Sequence, residues 1–190
     1  MKKGLLIILS GPSGVGKGTV RRLVMNDTSL NLVYSISLTT RPRRENEVDG
    51  KDYYFVSEEE FEENIKNGNL LEWAEFVGNK YGTPKNKIEE LRNQGKNVFL
   101  EIEVNGAKQV LEQYKGDKRV VSLYLVPPTF EALESRIRHR STEPEEIIKK
   151  RLEKARYEMS HKEMYDYEVL NDVREKAAKK IIDIIKSKID

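Results

Sequence analysis

Directly after the apolar run Leu5 to Leu9, the chain reads Gly11-Pro12-Ser13-Gly14-Val15-Gly16-Lys17-Gly18-Thr19. The pattern is G-x-x-x-x-G-K between a strand-like run and a helical one, the arrangement that holds the phosphates of a nucleotide such as ATP. Glycines let consecutive backbone N–H groups converge on phosphate oxygens, and the following helix N-terminus adds its dipole. Lys17 supplies a point charge for the β- and γ-phosphates. A Ser or Thr that would ligate Mg²⁺ ordinarily follows the lysine. Gly18 stands there instead, and Thr19 comes one residue later. Mg²⁺ is therefore expected to be held mostly by ATP phosphates and waters, a mode that suits this ion. A glycine-rich turn without a ligand is the plain alternative, but strand, loop, lysine and helix all fall in register.

A second set of polar residues is spread over a longer stretch. It begins Ser35-Ile36-Ser37-Leu38-Thr39-Thr40-Arg41-Pro42-Arg43-Arg44 and continues Glu47-Val48-Asp49-Gly50-Lys51-Asp52-Tyr53. Leu71-Glu72-Trp73-Ala74, Gly78 to Thr83 and Leu100-Glu101-Ile102-Glu103-Val104-Asn105-Gly106-Ala107 follow, then Arg136 to Arg140, Arg151-Leu152 and Asn171-Asp172. On these residues the chain resembles the guanylate kinase family, in order and over essentially its whole length. An isolated arginine-rich loop would ordinarily be a solvated surface; beside the matched tyrosines and glutamate it reads as a binding element.

The resemblance implies a site residue by residue. Arg41, Arg44, Tyr53 and Tyr81 match positions that grip the GMP phosphate, where forked guanidinium donors suit phosphate oxygens. Ser37, Glu72, Thr83 and Glu101 match positions that read guanine. The chemistry is coherent in itself: a carboxylate accepts guanine N1–H and N2–H₂, and hydroxyls serve O6 and N7. Adenine carries a lone pair at N1, and a site built on such bonds rejects the mismatched base by ~10⁴-fold or more. Thr83, before Pro84, is also placed to cap a helix, so its hydroxyl has two possible uses. Glu101 and Glu103 stand where an Asp or Glu followed by Asp is more usual, with Glu103 taken as the carboxylate near the metal and Glu101 the alternative. Asn105 stands where glutamine is common.

Arg136 and Arg140 are four residues apart and share a helix face. With Arg151 they match arginines of a lid that closes over ATP, where positive charge meets the charge spread over the transferring phosphoryl group. Spacing alone equally allows a solvated basic helix paired to Glu134, Glu145 and Glu153. Ser141 replaces a frequent glycine after Arg140. Asn171, by resemblance, helps hold adenine, although asparagine is also an ordinary turn residue.

The elements that must carry these residues are legible in outline. Leu5 to Leu9, Val98 to Leu100, Val120 to Val126 and Val169-Leu170 read as strands, most of them continuous apolar runs of the kind buried on both faces of a parallel sheet. Helices are expected from Thr19 to Met25, after the Ser57-x-x-Glu60 capping box, from Thr83-Pro84 to near Gly95, after Pro127-Pro128-Thr129, after a Thr142-to-Glu145 box, and through Val173, Ala177, Ile181 and Ile185. Alternating strands and helices predict an α/β fold, and the resemblance makes it a P-loop three-layer fold with a central parallel sheet, an inserted GMP-binding subdomain and a helical lid. One domain over 1–190 is expected, with core at about 1–34, 97–130 and 159–190, the insert at about 35–96 and the lid at about 131–158. Trp73 and Phe76 read as core of the insert, and His139 and His161 as structural or exposed.

Composition narrows the classes further. Lys and Arg number 34 against 32 Asp and Glu, and a net charge of +2 gives no basis for a nucleic-acid partner. The chain has no cysteine, which excludes disulfides and thiolate sites and fits a cytoplasmic setting. No membrane span or targeting segment is visible, and the amphipathic last helix is expected to face a core and not a membrane. The resemblance implies phosphoryl transfer from ATP to GMP or dGMP as the reaction. A non-catalytic peptide-binding scaffold of the same shape is the rival class, and it would generally lack the phosphate loop and lid arginines. A kinase for another acceptor is the third reading, opposed by Glu72 with Ser37.

Overall fold

The computed structural model describes residues 2–76, 78–140 and 143–189, apart from the side chain of Arg140. Five strands form a parallel sheet in the order β2-β7-β1-β8-β9: β1 (Leu6–Ser10), β2 (Leu32–Tyr34), β7 (Asn97–Glu101), β8 (Val120–Val126) and β9 (Tyr167–Leu170). β1 is buried along its whole length, as its unbroken apolar run requires. Its pleat sends alternate side chains to opposite layers. Ile7 and Leu9 join Val20 and Val24 of α1 (Lys17–Met25) and Ile181 and Ile185 of α7 (Arg174–Ile189). Leu6 and Ile8 join Ile88 of α3 (Lys85–Asn93) and Val104, Ala107 and Val110 of α4 (Val104–Gln113). The result is a helix–sheet–helix sandwich.

The expected strands all form. β2 and α4 were not anticipated: β2 is three half-buried residues at a sheet edge, and α4 follows directly on Glu103 with no side-chain cap to mark its start. α7 begins at Arg174, so Val173, read as part of its apolar stripe, precedes the helix and is 41% exposed. Ala177, Ile181 and Ile185 are buried as expected.

A second, four-stranded sheet, β4-β3-β6-β5, occupies the middle of the chain: β3 (Leu38–Thr39), β4 (Tyr54–Phe55), β5 (Leu70–Phe76) and β6 (Asn79–Pro84). One of its faces is covered by α2 (Glu58–Lys66), whose Phe61 packs with Leu38 and Leu70. α2 starts as its capping box predicts, with Ser57 accepting the Glu60 N–H at 3.1 Å. Ser57→Ala should cost about 1 kcal/mol of stability, read as a lowered denaturation midpoint with GMP affinity unchanged.

Two readings of this sheet are corrected. Trp73 and Phe76 are not core: they are 39% and 68% exposed. β5 is an edge strand, and the rings of Trp73 and Phe61 meet edge to face, with centroids 6.3 Å apart. Thr83 is not a helix cap. It pairs within β6, and α3 starts after Pro84 without a side-chain cap.

α5 (Phe130–Arg140) opens with the Ala132 N–H donating to Thr129 Oγ1 at 3.0 Å. α6 (Glu145–Met159) begins after Pro144; Ser141 and Thr142, read as a lid turn and a capping residue, lie outside the described residues. Among the described residues, no helix is long and apolar enough to cross a membrane.

Candidate active site

β1 feeds a loop that must turn sharply into α1. Gly16 occupies the position before the helix with φ 100°, a left-handed conformation that favours glycine. Lys17 folds back over the loop and donates to the Gly11 carbonyl at 2.7 Å and the Pro12 carbonyl at 3.2 Å. Burial pushes its pKa below the ordinary lysine value, while Glu158, Glu101 and Glu103 pull it upward. Ser13, Gly14, Gly16, Lys17, Gly18, Thr19, Glu101 and Glu103 line one cleft of about 490 Å³. A cleft of about 390 Å³ on the other side of the loop is lined by Val15, Arg136, Asn171 and Arg174 among others.

Asn171 is buried at the C-terminal end of β9, where its carboxamide donates to the Val15 carbonyl at 2.7 Å. Arg136 of α5 donates to the same carbonyl at 3.2 Å and to the Asn171 carbonyl at 3.4 Å. Arg136 thus meets the phosphate loop. Arg151 of α6 is instead paired with Glu143 at 2.9 Å, and the Arg140 side chain lies outside the described residues. Glu134 and Glu145, read as partners for the lid arginines, are both taken by Arg138, at 2.9 and 2.7 Å.

The second sheet explains how scattered polar residues meet. Leu38 pairs with Tyr54 on one side and Gly82 on the other. One step back, the same register sets Ser37 beside Tyr53 and Thr83, and Thr83 pairs in turn with Glu72. Ser37 and Tyr53 each stand one residue before their strand, and continuing the register of β3 and β4 sets them on the same side as Thr83 and Glu72, the face opposite α2. Thr83 Oγ1 donates to Glu72 Oε1 at 2.6 Å, so the hydroxyl is committed to the carboxylate. Burial raises the Glu72 pKa, and the Thr83 hydrogen bond opposes that rise. Tyr81, two residues before Thr83, lies on the same face, its ring 6.0 Å from that of Tyr53. Arg41 rests over Tyr53, 5.4 Å from the ring centroid. Arg44 is exposed on the following loop.

Gly106 of α4 backs the carboxylate: a Cβ there would stand 2.9 Å from Glu72 Oε2. The obstacle is the end of a side chain, so the fold can absorb it, but only by moving Glu72. On the resemblance's assignment of Glu72 to guanine, Gly106→Ala should raise the KM for GMP about 10-fold, as expected for a strained charged hydrogen bond, and leave the KM for ATP and the melting temperature nearly unchanged. Steady-state kinetics and a thermal melt check both halves.

Glu101 lies at the end of β7, where its Oε2 is 3.2 Å from Arg21 Nη1. The contact is an ion pair whose geometry falls short of a hydrogen bond, so this buried oxygen lacks one. Glu103 is exposed and paired with Lys154 at 2.9 Å. Tyr157 donates to Asn105 Oδ1 at 3.0 Å.

Sequence reading missed Glu158. This residue is 3% exposed on α6, and its carboxylate accepts the Ser13 N–H of the phosphate loop at 3.0 Å. Burial raises its pKa, with the Ser13 N–H and the charges of Lys154 and Lys17 opposing. The signal was present: Ile148, Leu152 and Ala155 form a helical stripe that Glu158 continues. A carboxylate on such a stripe needs a partner inside.

A parallel sheet with a glycine-rich loop after its central strand, opening into a helix, defines a P-loop nucleotide-binding protein. The chain matches the family described as guanylate kinase over residues 3–188. It is 54% identical over 183 residues to a guanylate kinase of Mesoplasma florum, covering 96% of this chain and 61% of that one. It is 50% identical over 186 residues to a guanylate kinase of Oceanobacillus iheyensis, covering 98% and 88%. The crystal structure of guanylate kinase from Anaplasma phagocytophilum superposes with a TM-score of 0.74 at 36% identity, over 98% of this chain and 87% of that chain. The chain belongs to the guanylate kinase family.

Proposed function

We propose that this chain transfers the γ-phosphoryl group of ATP to GMP or dGMP, giving ADP and GDP or dGDP. The observation that carries the reading is the pairing of Thr83 with Glu72 on the sheet face shared by Ser37 and Tyr53, with the half-buried Glu72 carboxylate held by the Thr83 hydroxyl. Glu72, held by Thr83, accepts the N1–H and N2–H₂ of guanine, and Ser37 and Glu101 complete the base pocket. Arg41, Arg44, Tyr53 and Tyr81 bind the GMP phosphate. The loop from Gly11 to Thr19 takes the ATP phosphates, with Asn171 on the adenine side.

In this reading residues 35–96 act as the acceptor-binding insert and 131–158 as the lid, on a core of 1–34, 97–130 and 159–190. Closure brings the acceptor phosphate in line with the γ-phosphorus and expels water that would hydrolyse ATP. No general base is required, because the attacking phosphate oxygen is already anionic. Lys17, Arg41, Arg44, Arg136, Arg140 and Arg151 stabilise the transferring charge, with Arg151 exchanging Glu143 for phosphate oxygens.

The oxygen donors Thr19, Glu101 and Glu103 line the phosphate cleft, which fits Mg²⁺ brought in on ATP. Glu103 would hold it through water, and the ion neutralises phosphate charge when bound. A chain without cysteine suits a reducing cytoplasm, the location we propose.

Incubation with γ-labelled ATP and GMP tests the reaction. The label should appear in the β-phosphate of GDP. Label on a ribose hydroxyl, or released only as inorganic phosphate, would refute the proposal.

A further inference from the structure

The segment between β3 and β4, residues 40–53, carries both acceptor arginines and is mostly exposed. A polar loop of this length does not hold two long side chains in place by packing. Within it, away from its ends at Thr40 and Tyr53, Arg41 and Glu47 are the residues that are not exposed. The side chains of Arg41 and Glu47 are only 14% and 18% exposed. Glu47 Oε1 accepts from Arg41 Nη2 at 2.6 Å, and Oε2 accepts the Arg44 backbone N–H at 2.9 Å. The Glu47 N–H returns to the Arg44 carbonyl at 3.1 Å. One carboxylate therefore ties the guanidinium of one arginine to the backbone of the other.

We propose that Glu47 is a positioning residue for the acceptor phosphate, fixing Arg41 and the backbone of Arg44 in the arrangement that receives it. The inference rests on the proposed acceptor site. It deepens that reading, because it assigns a role to an anion standing beside an anion site.

Two physical readings of such an anion predict opposite signs. As a plain counter-ion, Glu47 would compete with the phosphate, and its removal would tighten GMP binding. As a positioning group, it spends one of Arg41's five N–H donors to orient the rest, and its removal would weaken GMP binding. The geometry favours the second. Both oxygens are used, on different residues, and a competing ion pair would use neither on backbone. A second Arg41 donor goes to the Pro42 carbonyl at 2.9 Å, and the guanidinium is seated over Tyr53 and Phe55, 5.4 and 5.8 Å from their centroids. The hydrogen bond from Arg41, then the Arg44 N–H, hold the Glu47 carboxyl below the usual carboxylate range.

The test compares GMP with guanosine, which shares the base and lacks the phosphate. Dissociation constants for both would be measured by NMR titration on wild type, Glu47→Ala and Glu47→Gln. Glu47→Ala should weaken GMP about 10-fold or more, the scale of a lost charged hydrogen bond, with guanosine unchanged. Glu47→Gln should lie between, since its carbonyl can still accept the Arg44 N–H. Unchanged or tighter GMP binding in both variants would overturn the inference. So would equal weakening of GMP and guanosine in both, because that loss would belong to the whole insert. Wild-type protein that binds neither ligand would instead refute the acceptor site itself.

Discussion

Lys17→Ala should lower turnover about 10³-fold, the upper range for removing one preorganised donor to developing charge, while GMP binding stays nearly intact. The two effects separate because the elements are separate. Lys17 sits at the start of α1 beside β1, and most of the residues proposed to bind GMP lie on the second sheet and its β3–β4 loop. Its ammonium donates to the Gly11 and Pro12 carbonyls, and phosphate oxygens would offer it charged acceptors in place of these neutral ones. Burial disfavours the ammonium, and the facing carboxylates Glu158, Glu101 and Glu103 oppose that, with Lys154 adding to the depression. A lysine with a lowered pKa loses its proton earlier as pH rises. The alkaline limb of kcat/KM for ATP should therefore start below the ordinary lysine range. Single-turnover kinetics and a GMP titration on the variant measure the separation, and turnover comparable to wild type would remove Lys17 from the mechanism.

Glu72→Gln should raise the KM for GMP about 10²-fold, the sum of two charged hydrogen bonds weakened together. The amide presents a donor where guanine N1–H or N2–H₂ also presents one. Adenine N1 is an acceptor, so the preference for GMP over AMP should narrow as well. Stability should move the other way. Burial raises the folded-state pKa of Glu72, so ionising it costs the free protein more than it costs the unfolded chain. Stability tied to this group is present at low pH and is lost as pH rises through the raised pKa. The neutral amide avoids that loss, and the variant should melt higher than wild type at neutral pH. On the acid side, wild-type GMP affinity should fall while ordinary carboxylates are still ionised, and Glu72→Gln should lack that limb. A variant with normal GMP affinity would show that the carboxylate does not read the base.

The core was legible because its signals are local. A buried parallel strand reads as a continuous apolar run, and the phosphate loop needs glycines at fixed offsets around one lysine. The acceptor face was legible only as residue types and family order. Its geometry depends on strand register: nothing in the spacing of 37, 53, 72 and 83 reveals that the second sheet sets them on one face. The same cause produced the errors. Thr83 beside Pro84 has the local look of a cap, yet antiparallel pairing with β5 commits its hydroxyl to Glu72. Trp73 and Phe76 have core composition but sit on an edge strand. Glu158 and Glu47 meet partners 145 and 6 residues away; the apolar stripe of α6 marks Glu158 as facing inward, but neither partner can be read from sequence spacing.

In the proposed function, one face of the second sheet selects guanine and delivers its monophosphate to ATP on the loop. The most direct test is ADP release from Mg-ATP with GMP, AMP, CMP and UMP supplied as separate acceptors. Fast release with GMP alone is the predicted result. Comparable release with AMP or a pyrimidine would contradict the assigned base pocket, and no release with any acceptor despite GMP binding would mean that the chain is a binding scaffold.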